Sequence, residues 1–322
     1  MDCLLYAFHI DKNGKGTQLP VDVIPKAPKS EEGFIWLHFD RRNPQTRQVL
    51  IDDKMVDDVA THTLLAEDSR PRTIIRGTDA LINLRGINLN PGAEPEDMIP
   101  LRFFAQDNRV ITVCGRVLQA TEDRVRQLQN QKVSATPGGF IAGYALALSD
   151  RMAPTITDLN EQIDTLEETL DTDRDEDAAS QVSEIRREAI ILRRYLAPQR
   201  DALNVLSAQS LHWILPDDQL RLRDAADQAT RITEELEAVR ERCAIVKDQL
   251  TDMRAEEMNR NMMILSVVAA IFLPLGLVSG MMGINVGGMP WVETDMGFWY
   301  VTAIVLGIGA VQLIAFRIMK WI

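Results

Sequence analysis

Two stretches of this chain carry no charge, and they limit its fold more than any other feature. Met262–Gly280 and Phe298–Phe316 each run 19 residues without Asp, Glu, Lys or Arg. A helix of that length rises about 28 Å, close to the roughly 30 Å of a bilayer's hydrocarbon core. Core helices of soluble proteins seldom go so far without a charged side chain, because they usually keep a polar face toward water. Both stretches are therefore expected to be transmembrane helices.

The flanks set an orientation. Arg254 and Arg260 precede the first run, and Arg317 and Lys320 close the second. The connection Met281–Gly297 has neither Lys nor Arg but carries Glu293 and Asp295. Basic residues favour the cytoplasmic side, so both termini are expected there and the connection outside. Trp291, Trp299 and Tyr300 suit the outer interface and Trp321 the inner one.

The net charge is −12, from 35 Lys plus Arg against 47 Asp plus Glu. Beyond residue 261 the charged side chains are Glu293, Asp295, Arg317 and Lys320, which cancel. All the excess negative charge thus belongs to the first 261 residues, a division that the mean hydropathy of −0.11 conceals. Such a body lacks the basic face that phosphates require, which argues against a nucleic-acid partner. The start, Met-Asp-Cys-Leu-Leu-Tyr, has no basic region and apolar run of a secretory signal. Cys3, Cys114 and Cys243 are too few and too scattered for a disulfide framework or a zinc knuckle.

The first 115 residues are expected to form a compact α/β domain. Short β-branched or aromatic runs at Phe34–Phe39, Thr73–Arg76, Ala80–Leu84, Leu101–Ala105 and Val110–Val113 are bounded by turn signals such as Asn90-Pro91-Gly92. Segments near Pro44–Ala60 and Arg116–Gln131 have helical character. After Pro137-Gly138-Gly139 long helices take over. Ile156, Leu159, Ile163, Leu166 and Leu170 step by three and four, as do Val182, Ile185, Ala189, Leu192 and Leu196. A polar turn at Asp171–Asp177 separates them, so a helical hairpin is expected.

After Pro216, the residues Leu222, Ala225, Ala229, Ile232, Leu236, Val239, Cys243, Val246, Leu250 and Met253 keep the same alternation, and neither Pro nor Gly intervenes before Pro274. A helix from about Asp217 through the first span would be on the order of 85 Å long. No single core buries that length, so it is expected to be a stalk packed on other helices, including copies of itself. The resulting division is an α/β domain at 1–136, a hairpin region at 137–216, the stalk at 217–261, a first span at 262–283, an outer loop at 284–297, a second span at 298–318 and a tail at 319–322.

Within the first span the stripe continues on mostly small residues: Met262, Ser266, Ala269, Leu273, Gly276 and Gly280. Extended backwards it meets Asn259, Asp252 and Asp248. Around an axis of several copies this face would line a narrow channel with an acidic inner mouth. The plainer alternative is helix packing through the close-contact motif formed by Gly276 and Gly280.

Gly283-Ile284-Asn285 directly follows this proline-containing span and precedes a second span with a short basic tail. It resembles the Gly-Met-Asn signature of the CorA superfamily of divalent-cation transporters. Ile stands in place of Met, which is similar to the ZntB branch of zinc transporters. Arg85-Gly86-Ile87-Asn88-Leu89-Asn90, Pro95-Glu96-Asp97-Met98 and Gly287-Gly288-Met289-Pro290-Trp291 also look like that branch, so the likeness covers essentially the whole chain.

The resemblance implies a homopentamer in the lipid bilayer, with a cytoplasmic α/β funnel, a stalk that continues as the pore helix, and the second span on the lipid side. It implies that Asn285 rings the outer mouth and contacts the metal through its hydration water. The physics fits, since an amide carbonyl accepts hydrogen bonds from a water shell that is costly to strip from a divalent ion. Five copies would carry about −60, a field that concentrates cations within roughly 8 Å. Asp248 and Asp252 are the expected ion contacts at the inner side, and Glu293 and Asp295 at the outer. The transported ion implied is zinc(II), taken up across a bacterial inner membrane and coupled to protons. Zinc efflux, or a metal-gated channel for magnesium, cobalt or nickel, is the alternative; cadmium is a further ion the branch admits. A third alternative is a membrane-anchored coiled-coil scaffold without flux.

Other signals are weak. Asp171, Asp173 and Asp175 look like the start of a calcium loop, but Glu176 and Val182 occupy positions that need Gly and Glu. His9, His38, His62 and His212 are scattered and are expected to be structural or surface residues. Met262, Met281 and Met282 offer thioethers that suit soft ions, yet methionine in a membrane helix is commonly filler. There is no phosphate-binding loop and no nucleophile elbow, so neither ATP coupling nor enzymatic catalysis is expected, and no cofactor.

Overall fold

The computed structural model describes residues 2–22, 26–28, 32–52, 55–67, 70–130, 133–170, 177–284, 286, 288–291 and 293–319. Contacts divide the chain into two compact units, Met1–Val246 and Lys247–Ile322.

The first unit is built on one sheet of β1 (Leu4–Ile10), β2 (Gly16–Gln18), β3 (Phe34–Asp40), β4 (Arg72–Arg76), β5 (Asp79–Gly86), β6 (Ile99–Gln106) and β7 (Arg109–Cys114). Their order is β2-β1-β3-β7-β6-β5-β4. The β3–β7 pair is parallel and the other neighbours are antiparallel. Alternate residues serve two cores, as the two-residue period of a strand requires. Ile35, Leu37 and Phe39 are buried under α1 (Gln45–Asp52) and α2 (Asp58–Leu65) with Leu50, Ala60 and Leu64. Phe34 and Trp36 are buried on the other side, beneath α3 (Gln119–Asn130), α4 (Pro137–Leu170), α5 (Ala178–Ser207) and the start of α6 (Pro216–Met282).

The expected strands are present, and two were not anticipated. β1 and β2 close one side of the sheet. β1 buries side chains without a clean alternation, so it presents no simple pattern. The helical segment near Pro44–Ala60 is two helices, because Asp57 starts a new one by accepting a hydrogen bond from the Ala60 amide at 2.8 Å.

His38 is structural. Its Nδ1 lies 2.7 Å from Thr112 Oγ1, which also accepts the Trp36 indole N–H at 2.8 Å. Burial pushes its pKa down to about 4.

The helical hairpin is α4 and α5; most of the polar turn, Asp171–Glu176, lies outside the described residues. α6 begins where Pro216 and Asp217 suit a first turn. The buried Asp218 carboxylate there accepts from the Leu215 amide at 2.9 Å and from Thr136 Oγ1 at 2.7 Å. The apolar seam Leu222–Val246 is buried, together with Ile156, Leu159, Ile163 and Leu166 of α4 and the seam Val182–Leu196 of α5. Arg193 of α5 pairs with Glu237 of α6 at 2.7 Å, and Arg242 of α6 reaches Glu167 at 2.9 Å and Asp164 of α4. Over this length the helices that the stalk requires are the chain's own α4 and α5, which close the seam without a second copy.

Candidate ion pathway

The second unit contains the C-terminal part of α6 and α7 (Gly297–Ile318), among the described residues the two helices long and apolar enough to cross a membrane. Within this unit α6 turns one face to α7. Val267 is buried and Ala270, Ile271, Pro274, Leu275 and Val278 are half-buried, recurring at helical spacing. Gly309 of α7 faces Leu275, where a Cβ would make an ordinary van der Waals contact, 3.8 Å from Leu275 Cδ1.

Asn259, Met262, Ser266, Ala269, Leu273, Gly276 and Gly280 are all exposed within the chain. At about 100° per residue this stripe and the α7-facing set lie on roughly opposite sides of the helix. Large apolar side chains elsewhere in the span are bare as well, with Leu265 70% and Leu277 65% exposed. Exposed apolar area on this scale belongs against lipid or other protein.

The polar stretch before the span is also bare. From Arg254 to Asn261 every residue of α6 is exposed, and Asp248 and Asp252 just below are exposed too. Among the described residues no other element covers this stretch.

At its C-terminal end α6 stops at Met282. The Gly283 amide donates to the Ser279 carbonyl at 3.0 Å and to that of Gly280 at 3.2 Å, and the Ile284 amide to Met281 at 3.4 Å. These bonds satisfy carbonyls that a helix end leaves open. Gly283 and Ile284 are exposed, and Asn285 lies outside the described residues, as do Lys320 and Trp321.

The loop between α6 and α7 is tied to the start of α7. Trp291 holds a positive φ of 66°, uncommon for a bulky residue, and its carbonyl accepts both the amide and the hydroxyl of Thr294 at 3.2 and 2.9 Å. Gly297 fits against the same carbonyl, since a Cβ there would come within 2.5 Å of the Trp291 oxygen. Trp291 and Tyr300 stand with ring centroids 5.9 Å apart. Glu293 and Asp295 sit exposed on this loop. A cavity of about 570 Å³ opens here, lined among others by Ser279, Gly283, Trp291 and Thr302.

One polar residue of α7 was not anticipated from the sequence, where charges and not amides mark the spans. Gln312 Nε2 donates to the Ala270 carbonyl of α6 at 3.1 Å. By contrast, the Thr302 hydroxyl bonds within its own helix, to Phe298, at 2.8 Å. Among the described residues no group of three or more His, Cys, Asp and Glu is placed to hold a metal ion.

The CorA-like Mg2+ transporter protein family matches residues 31–320. The chain belongs to the CorA family. Similar members include the divalent cation transporter CmaX of Pseudomonas aeruginosa, 36% identical over 99% of this chain and 97% of that protein. The zinc transport protein ZntB of Pectobacterium carotovorum is 32% identical over 92% of this chain and 89% of that one. In structure, full-length CmaX matches with a TM-score of 0.86 at 35% identity, covering 99% of this chain and 98% of that one. The CorA magnesium transporter of Methanocaldococcus jannaschii matches in fold, with a TM-score of 0.84 at 17% identity over 99% of each chain. This CorA-family chain is thus a membrane transporter of divalent cations and not an enzyme.

Proposed function

We propose that this protein carries zinc(II) into the cytoplasm, coupled to protons, through a homopentameric pore lined by the exposed stripe of α6. The observation that carries this reading is the stripe Asn259–Gly280. Among the described residues nothing packs on it, while the opposite face of the same helix takes α7. Five such faces around an axis would satisfy both the bare small-residue stripe and the bare polar stretch below it. The Gly-Ile-Asn motif ends the stripe, so Asn285 would ring the outer mouth and its amide oxygen would accept from the ion's water shell.

Zinc is supported by the likeness to ZntB proteins and by Ile284 in the motif. The similarity to CmaX supports a second reading, a divalent-cation pathway without preference for zinc. The spans hold no ionisable side chain between residues 262 and 280 or between 298 and 316 other than Tyr300 at the outer end. A proton relay would therefore use the mouths, with Glu293 and Asp295 outside and Asp248 and Asp252 inside. In this orientation both termini lie in the cytoplasm, as the positive-inside pattern favours.

Liposomes holding a zinc- or magnesium-sensitive dye test the reading. Zinc flux should exceed magnesium flux and rise with an inward proton gradient, and Asn285→Ala should abolish the preference. Equal zinc and magnesium flux would overturn the zinc assignment and favour the second reading. Unchanged transport in Asn285→Ala would overturn the pore assignment.

A further inference from the structure

We propose that Gln312 is a positioning residue for the ion path, holding the proline break of α6 at a set angle through the Ala270 carbonyl. The proposal rests on the reading that the opposite face of α6 lines that path.

Pro274 opens a gap in the backbone ladder of α6. Proline has no N–H, so the carbonyl four residues earlier, that of Ala270, loses its intrahelical donor. In a bilayer no water replaces it, and a freed carbonyl must be met by a neighbouring helix or a side chain. The Gln312 side chain does this from α7, with Nε2 3.1 Å from the Ala270 oxygen. Pro274 and Ala270 are both half-buried on the α7 side.

The placement of the amide is costly, which makes its presence informative. Gln312 Oε1 is buried and has no hydrogen-bond partner among the described residues. An apolar residue would avoid that cost. The compensation is the donor that Nε2 brings to the carbonyl opened by Pro274.

The break lies between the two halves of the stripe. Ala269 and Leu273 stand before it, and Gly276 and Gly280 after it. Kinks of this kind occur where the backbone ladder is interrupted, and the groups that meet the open carbonyl restrain the bend. Tethering Ala270 to α7 fixes how the outer half of the stripe, and the motif beyond it, is directed relative to the inner half.

The test is a double-mutant cycle in the full-length protein: parent, Gln312→Met, Pro274→Ala, and both together. The Pro274→Ala change restores an N–H for the Ala270 carbonyl, so it should make Gln312 dispensable. Three readouts apply: zinc and magnesium flux in liposomes, thermal midpoint in detergent, and the rate at which a Gly280→Cys thiol reacts with a hydrophilic reagent. The native Cys3, Cys114 and Cys243 are buried, which keeps the background low. With Pro274 present, Gln312→Met should change flux and the reactivity of the introduced thiol about three- to tenfold, the range expected for one interhelical hydrogen bond in a membrane. In the Pro274→Ala background both effects should fall below about twofold. Equal effects in the two backgrounds, or a change in thermal midpoint alone, would overturn the proposal. Should Gln312→Met not assemble, Gln312→Asn, whose amide is one methylene too short to reach, takes its place in the cycle. Labelling of the Gly280→Cys thiol that leaves flux intact would sink the pore reading, while coupling in midpoint and reactivity would still support the tether.

Discussion

The lower and upper halves of α6 carry the same alternation of three and four but spend it differently. From Leu222 to Val246 the seam is buried by the chain's own α4 and α5. From Asn259 to Gly280 the corresponding stripe is bare, and α7 packs on the other side. Periodicity therefore states that a face must leave water, and composition hints at what it meets. Leu, Ile and Val in the lower half fit a dry three-helix core. Gly, Ala and Ser in the upper half fit close approach or a path for an ion with its water.

The largest effect should come from truncating the two halves in parallel. Leu236 is fully buried, so Leu236→Ala should cost about 2–5 kcal/mol, read as a lower thermal midpoint of the full-length protein. Leu273, 71% exposed in the chain, should cost less than about 0.5 kcal/mol as Ala, and change cation flux instead. The reverse ranking would break the comparison.

A smaller effect probes how the lower half is locked. Arg242 joins α6 to Asp164 and Glu167 of α4, and these carboxylates hold its pKa above the usual arginine value. The pairs are partly exposed, so Arg242→Gln should cost only about 1 kcal/mol, and less in high salt. Chemical denaturation at two salt concentrations checks this. A cost that salt does not touch would mean that the stem packs rather than pairs.

A further effect concerns pH. On α5, Glu188 is pushed up from 4.5 to about 7, by burial first and then by the neighbouring Glu96 carboxylate. The folded state therefore holds a proton that the unfolded chain releases near pH 4.5. Its contribution to stability is complete below pH 4.5 and is lost as pH rises through about 7. Glu188→Gln should thus melt higher than the parent at pH 8 and converge with it near pH 4.5. A constant difference across that range would show that the carboxylate does not titrate there.

Much of this was legible from residues alone. The two uncharged runs, the partition of the −12, the hairpin seams and the strands β3 to β7 each have a local signature in period or composition. β1 lacked one, because it alternates poorly, and the break between α1 and α2 depends on the single cap at Asp57. The proposed pathway was partly legible. The stripe could be named from spacing, but Gln312 could not be tied to Pro274, which lies 38 positions earlier in the chain.

By itself, then, the sequence determined which segments must leave water, which face of the first span is lined with small residues, and where the negative charge resides. These follow from transfer free energies and helical period, which are properties of short stretches. Only the tertiary structure decided that α4 and α5 close the lower seam, that β3 and β7 pair in parallel, and that an amide of α7 meets the carbonyl opened by a proline of α6. Such matches join groups distant in the chain, and a local pattern names a need without naming the group that fills it.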